Sequence, residues 1–204
     1  MATKLNQPAV ATQKYYFRIK RFFDLIASFS LLFLLSPLLI TIWVLVKLDS
    51  KGPALYWSQR VGRNGVEFNM PKFRTMRINT PEVSSDLLSE PNAHITRVGS
   101  WLRVFSLDEL PQLWSVLCGK MSIVGPRPAL HTQAILVKSR QRYGIHKLLP
   151  GITGWAQING RDYNRDSQKL ALDGEYLENY CLAVDMQILA RTVVLVLKRK
   201  DVSH

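Results

Sequence analysis

Two adjacent carboxylates, Asp108 and Glu109, lie in the segment SLDELPQLW of this 204-residue chain and are the residue types best placed to do chemistry. Neighbours in sequence cannot face each other across a substrate as the two acids of a glycosidase do. They can share a metal ion, or divide the roles of nucleophile and metal ligand. Pro111 suits only the first turn of a helix, which predicts a helix starting near Asp108 and running over 108–118, with Leu110, Leu113, Trp114 and Leu117 on one face. A helix start carries partial positive charge and free N–H groups, so it favours anions. The same letters also read as a plain cap, because Ser106-x-x-Glu109 has capping-box spacing and Asp is a common N-cap. The sequence leaves both readings open.

Basic residues bracket the pair: Lys72-Phe73-Arg74, Arg97, Arg103 and Arg127. Arg127 stands in VGPRP, where Pro126 and Pro128 restrict the backbone and can fix a guanidinium for bidentate phosphate contact. Further on, PGITGWAQINGR at 150–161 offers Gly151, Gly154 and Gly160 for close backbone approach and Trp155 as a stacking face. Gln157 and Asn159 there can serve amide recognition, and Arg161 adds charge. The string is neither a P-loop nor a dinucleotide fingerprint. Cys118 and Cys181 are the two cysteines, and no Cys/His spacing suits zinc, so a reducing cytosol is the plain reading.

The elements that must carry these residues are legible in outline. Residues 1–16 read as a polar, poorly ordered leader. Residues 25–46 hold no charge and would form a helix of roughly 33 Å, one bilayer core. Ser36-Pro37 falls mid-run, where a proline predicts a kink, and both flanks are basic. The positive-inside rule then places both flanks in the cytoplasm, as in a helix that dips into one leaflet and returns; an ordinary span with an incidental proline remains open. Short strands are predicted over 53–78 around the turn Arg63-Asn64-Gly65, an exposed loop over 79–93, and helices over 129–143 and 167–180. An amphipathic helix over 184–200 would lie in the interface or pack on the core. The fold expected is a mixed, helix-rich α/β domain, one unit over 1–204: leader 1–16, re-entrant helix 17–48, catalytic region 49–204. A net charge of +12 calls for an anionic partner. A nucleic-acid-binding or lipid-binding anchor without catalysis would share that charge. No nucleic-acid motif is present, however, and an anchor leaves the carboxylate–arginine–glycine constellation unexplained.

Taken together, the Ser36-Pro37 hydrophobic segment, PKFRTM at 71–76, SLDELPQLWSVL at 106–117, GKMSIVGPRP at 119–128 and PGITGWAQINGR run in the order found in the bacterial sugar transferase family, the small monotopic phosphoglycosyl transferases, which this chain resembles over about 14–204. The resemblance implies transfer of a sugar 1-phosphate from a UDP-sugar to undecaprenyl or another polyprenyl phosphate, releasing UMP. This would be an early membrane step of glycoconjugate synthesis. It implies Asp108 as nucleophile, Glu109 as the carboxylate helping to hold Mg²⁺, Lys72, Arg103 and Arg127 near phosphates, and Asp185 at a late acidic position. It also implies a re-entrant helix broken at Ser36-Pro37 among membrane lipids, with the catalytic region on the cytoplasmic face of the bacterial inner membrane. Lys120 departs from the acidic residue that relatives often carry. The sugar expected is an N-acetylated amino sugar, with hexoses left open. Nucleic acid is not an expected partner, and a homodimer is left open.

Overall fold

The architecture is set by a break in the first apolar segment. The computed structural model describes residues 10–78, 80, 94–160 and 166–198. Helix α1 (Val10–Leu34) and helix α2 (Ser36–Asp49) meet at Leu35 and are bent by 62°. Pro37 brings no N–H to the ladder, and the Ser36 hydroxyl donates to the Phe33 carbonyl at 2.7 Å, so the turn is closed by a side chain where the backbone is short of a donor. Among the described residues no single helix is long and apolar enough to cross a membrane; the bent pair passes that test together, by length and composition.

The expected leader is corrected over 10–16, which are helical. Long-range contacts hold this stretch: the Tyr16 hydroxyl donates to Asp185 at 2.8 Å, and Tyr16 and Phe17 pack on Tyr180. Residues 1–9, Arg161, the charged end of the last predicted helix and nearly all of the 79–93 loop lie outside the described residues.

Strands β1 (Leu55–Val61) and β2 (Glu67–Phe73) form the expected hairpin, in the register Tyr56↔Lys72 and Arg60↔Phe68. Its turn needs a left-handed residue, and Asn64 takes φ 58. After helix α3 (Arg97–Val104), a 3-10 turn (Leu107–Glu109) leads into helix α4 (Gln112–Leu117). The expected continuous helix from Asp108 is thus corrected. Ser106 is left-handed at φ 54 and makes no side-chain cap, so the capping box is not formed. Strands β3 (Ser122–Val124) and β5 (Gly151–Thr153) make a small parallel sheet, and β4 (Ala129–Leu130) joins β1 antiparallel. That pairing takes the first residues of the predicted 129–143 helix, which instead starts as α5 (Ala134–Arg142). A short α6 (Trp155–Ile158) precedes α7 (Asp166–Asn179) and α8 (Leu182–Leu197). The mixed, helix-rich α/β class is as expected.

The two apolar helices are built into the core. Ile42 and Val46 of α2 pack with Ala54, Phe73 and Leu102, and Leu107 and Leu110 lean on that cluster from either side of Asp108 and Glu109. Helix α1 has two characters. Phe22, Phe23, Ile26, Phe29 and Phe33 are exposed. Inward, Arg21 donates to the Val116 and Leu117 carbonyls at 2.6 and 3.0 Å, closing the end of α4, and buried Asp24 accepts from the Ile123 N–H at 3.0 Å.

Candidate active site

Glu109 is the hub of the site. Its Oε1 accepts from Lys72 Nζ at 2.7 Å and from Arg127 Nη2 at 2.8 Å, while Oε2 has a long contact from Arg127 Nη1 at 3.5 Å. Three elements supply these groups. The 3-10 turn presents Glu109, β2 presents Lys72 on the face shared with Tyr56 across the hairpin, and the loop between β3 and β4 presents Arg127. Burial works against the Glu109 carboxylate, but Arg127 and Lys72 outweigh it and hold its pKa far below the ordinary range. Glu109 is therefore ionised at any physiological pH.

Asp108, one residue back, is in a different state. Burial pushes its carboxyl up to about 6, Glu109 adds to the rise, and Lys72, Arg103 and Arg127 limit it. Two carboxylates side by side thus differ: one is neutralised by cations, and the other is desolvated. Arg103, reaching from α3, donates to Thr75 Oγ1 at 3.2 Å and keeps its charge near Asp108.

The structure brings Lys72, Arg103 and Arg127 to the pair and takes others elsewhere. Arg74, expected at phosphate, is corrected: it is buried and donates to the Lys51 and Ser50 carbonyls and the Ser50 hydroxyl at 2.7, 2.7 and 2.9 Å, closing the α2–β1 connection. Lys72 and Arg74 lie two apart, but β2 ends at Phe73, so strand alternation does not keep them on one face. Asp185 is buried at the start of α8, where it accepts from Lys20 at 2.6 Å, Tyr16 at 2.8 Å and Tyr176 at 2.7 Å; it ties α1 to the domain. Gln157 donates to the Ile152 carbonyl at 3.2 Å, while its Oε1 is buried without a hydrogen-bond partner. The Trp155 face expected to stack a ligand is shared with Arg191, whose guanidinium lies 5.9 Å from the ring centre.

Sequence reasoning missed Arg60, which had passed as one of the basic flanking residues. On β1 it donates to Ser58 Oγ at 2.9 Å and to the Pro128 carbonyl at 3.2 Å; burial and then nearby Arg127 lower its pKa to about 10. The signal was available: strand alternation puts Arg60 on the Tyr56 face of the hairpin, which also carries Lys72.

No group of three or more His, Cys, Asp or Glu side chains is assembled for a metal among the described residues. A divalent ion here would have Glu109, with Asp108 beside it, and would need ligand oxygens for the rest. Mg²⁺ commonly binds that way, with one or two carboxylates plus phosphates and water. Glu109 Oε2, with only its long contact to Arg127, keeps acceptor capacity for such an ion.

This cluster of one ionised acid, one desolvated acid and converging cations can hold a multiply charged phosphate ester and attack it. The chain resembles known proteins over the same stretch. It is 42% identical over 185 residues to an undecaprenyl-phosphate glucose phosphotransferase of Komagataeibacter xylinus, covering 85% of this chain and 35% of that protein. It is 39% identical over 196 residues to an undecaprenyl-phosphate galactose phosphotransferase of Salmonella typhimurium, covering 89% of this chain and 41% of that protein. An uncharacterized sugar transferase of Bacillus subtilis is 39% identical over 186 residues, with 91% of each chain covered. The chain thus spans less than half the length of the glucose and galactose relatives. The model of the family described as bacterial sugar transferase matches residues 15–199, all the elements that build the carboxylate–cation cluster, and the chain belongs to that family.

Proposed function

We propose that this chain transfers a sugar 1-phosphate from a UDP-sugar to polyprenyl phosphate and releases UMP, through a covalent phosphosugar on Asp108. The observation that carries the proposal is the pairing of desolvated Asp108 with a Glu109 already clamped by Lys72 and Arg127. An Asp108 oxygen attacks the sugar-bearing phosphorus; the bond from that phosphorus to the bridging oxygen breaks, and UMP leaves with the electron pair. A phosphate oxygen of the polyprenyl acceptor then attacks the same phosphorus. The aspartyl bond breaks, and the carboxylate is regenerated. With a pKa of about 6, Asp108 is ionised at neutral pH and needs no base.

Lys72 and Arg127 are the cations that a diphosphate competes for. In the free chain they neutralise Glu109, and a bound donor draws them toward its own oxygens. Glu109 would hold Mg²⁺, which when bound would supply further charge neutralisation on the diphosphate. The relatives' names carry glucose and galactose, and the sequence suggested an N-acetylated amino sugar. A panel of UDP-sugars separates these donors.

The test is a single-turnover assay without lipid acceptor. UMP is expected in an amount close to one per site, with an adduct of sugar-phosphate mass on the peptide containing Asp108. No UMP until acceptor is added would favour direct transfer in a ternary complex and overturn the covalent step.

The same proposal places the domain on the cytoplasmic face of the bacterial inner membrane, with α1 and α2 entering and leaving one leaflet. Support comes from where the two helices are tied. Lys20, Arg21 and Asp24 of α1 bind Asp185, α4 and β3, while Asp49 at the far end of α2 accepts from the Val98 N–H at 3.1 Å. A straight span would carry these ties to opposite sides of a bilayer, yet they meet one folded unit. Because Cys118 and Cys181 are exposed, both are first replaced by Ser. Single cysteines at residues 10 and 50 are then expected to respond alike to an impermeant thiol reagent in intact cells. Opposite labelling would establish a span. Exchange of Ser36-Pro37 for Leu-Leu is expected to push the population toward that outcome.

A further inference from the structure

The loop that carries Arg127 has a proline on each side of that residue, so neither neighbour has an N–H with which to hold it. Its three successive carbonyls are instead gripped from three directions. Pro126 O accepts from the Gly151 N–H at 2.9 Å, Arg127 O from Arg140 Nη1 at 2.8 Å, and Pro128 O from Arg60 Nη1 at 3.2 Å. The middle grip falls on the residue whose side chain meets Glu109, and it comes from the best-locked group of the three. Arg140 is 9% exposed, and its Nε and Nη2 both donate to Asp173 Oδ2, at 3.0 and 2.6 Å. Asp173, on α7, is 2% exposed.

A guanidinium fork is rigid and planar, so fixing two of its nitrogens on a buried carboxylate fixes the direction of the third. The structure assigns Arg140, locked by Asp173, the role of a positioning residue that sets the Arg127 guanidinium over Glu109 and the donor diphosphate. The inference rests on the proposed transfer reaction for the identity of that diphosphate. It does not rest on it for the geometry. Arg140 touches no reacting atom; its effect passes through the Arg127 backbone. The remaining Arg140 donor falls on the carbonyl of the residue whose side chain meets Glu109, whereas buried pairs that serve stability alone are often replaceable without loss.

A double-mutant cycle separates positioning from plain structure. Arg140→Lys keeps the charge opposite Asp173 but has a single ammonium in place of the fork. In the full-length protein it is expected to lower kcat/KM for UMP release by about tenfold, mostly through kcat, as a displaced catalytic group does. In an Arg127→Ala background the same change is expected to cost less than about twofold, because nothing remains to be positioned. Asp173→Asn, which keeps an acceptor for Arg140 but loosens the lock, is expected to follow the same pattern and serves if the lysine variant does not fold. Equal fold losses in both backgrounds, or none in either, would overturn the role. The melting-temperature rise given by UDP provides the same cycle without turnover. Coupling seen there in a chain that releases no UMP would keep the positioning role and remove the transfer reading.

Discussion

Replacing Asp108 by Asn is expected to abolish UMP release, by several orders of magnitude, while making the protein more stable. The amide is a poor nucleophile, so the first half of the proposed reaction is lost. Size barely changes and the amide still accepts a hydrogen bond, and no cap depends on this side chain, because the turn starting at Ser106 has none. The stability effect follows from burial. Burial raises the Asp108 pKa to about 6, so the folded state holds the proton more tightly than the unfolded chain does. The sign for such a group is fixed: its favourable contribution is complete below the unfolded pKa and is lost as pH rises through the folded one. Near neutrality and above, the native protein therefore keeps an uncomfortable charge, at a cost on the order of 2 kcal/mol, which Asn removes. Melting at pH 8 is expected to rise by roughly 5 °C in the variant, with the gap closing as the pH falls below 6. Wild-type turnover is expected to show the matching acid limb, falling about tenfold per pH unit below roughly pH 6 as the nucleophile is protonated. A well-folded Asp108→Asn protein that turns over normally would refute the assignment.

Glu109→Gln should give the opposite stability sign at the adjacent position. The Glu109 pKa is depressed because Arg127 and Lys72 outweigh the opposing effect of burial. A depressed carboxylate contributes stability that is present above its unfolded pKa and lost only as pH falls through the folded value, here in strong acid. At neutral pH the amide leaves Lys72 and Arg127 without the carboxylate that joins them, and Asp108 beside them offsets part of that loss. Arg127 is 41% exposed at its side chain, so solvent offsets part of the loss, and a destabilisation of about 2 kcal/mol is expected, between a surface and a buried pair. Activity is expected to fall by roughly 10²–10³-fold, the usual cost of losing one charged group that organises a phosphoryl site. If Glu109 also holds Mg²⁺, the wild type loses activity on exhaustive chelation, and the variant needs at least about tenfold more Mg²⁺ for half-maximal rate. Full wild-type activity after chelation would end the metal assignment, and a Glu109→Gln protein that melts above the wild type would end the charge argument.

How much of this was readable beforehand depended on whether a signal was local. The break near Ser36-Pro37, the hairpin around Arg63-Asn64-Gly65 and the later helices follow from proline, from turn chemistry and from apolar periodicity, all short-range properties. The convergence of Lys72, Arg103 and Arg127 on the acidic pair could be suggested by their density and by family likeness. What stayed hidden required three dimensions. Arg74 looks equivalent to Lys72 as a string but donates through both terminal nitrogens to the carbonyls of residues 50 and 51. Nothing local in the sequence singles out Arg60 or Arg140 as a partner of the Arg127 loop, yet both end on its carbonyls. Where a helix is predicted from Asp108, Ser106 is left-handed and supplies no cap, and Leu107–Glu109 make a 3-10 turn before α4 begins at Gln112.

The seating of the reactive turn on the α2 cluster has a practical corollary for anyone wanting a soluble enzyme. Deleting the first 49 residues would remove more than an apolar tether. It would strip Ile42 and Val46 from Phe73 and Leu102, turn Leu107 and Leu110 toward water, and leave the Val116 and Leu117 carbonyls without Arg21. A truncated protein would start with a hole where the reactive carboxylates are supported. Solubilisation is therefore better sought by replacing the exposed phenylalanines of α1, from Phe22 to Phe33, and keeping the helices themselves.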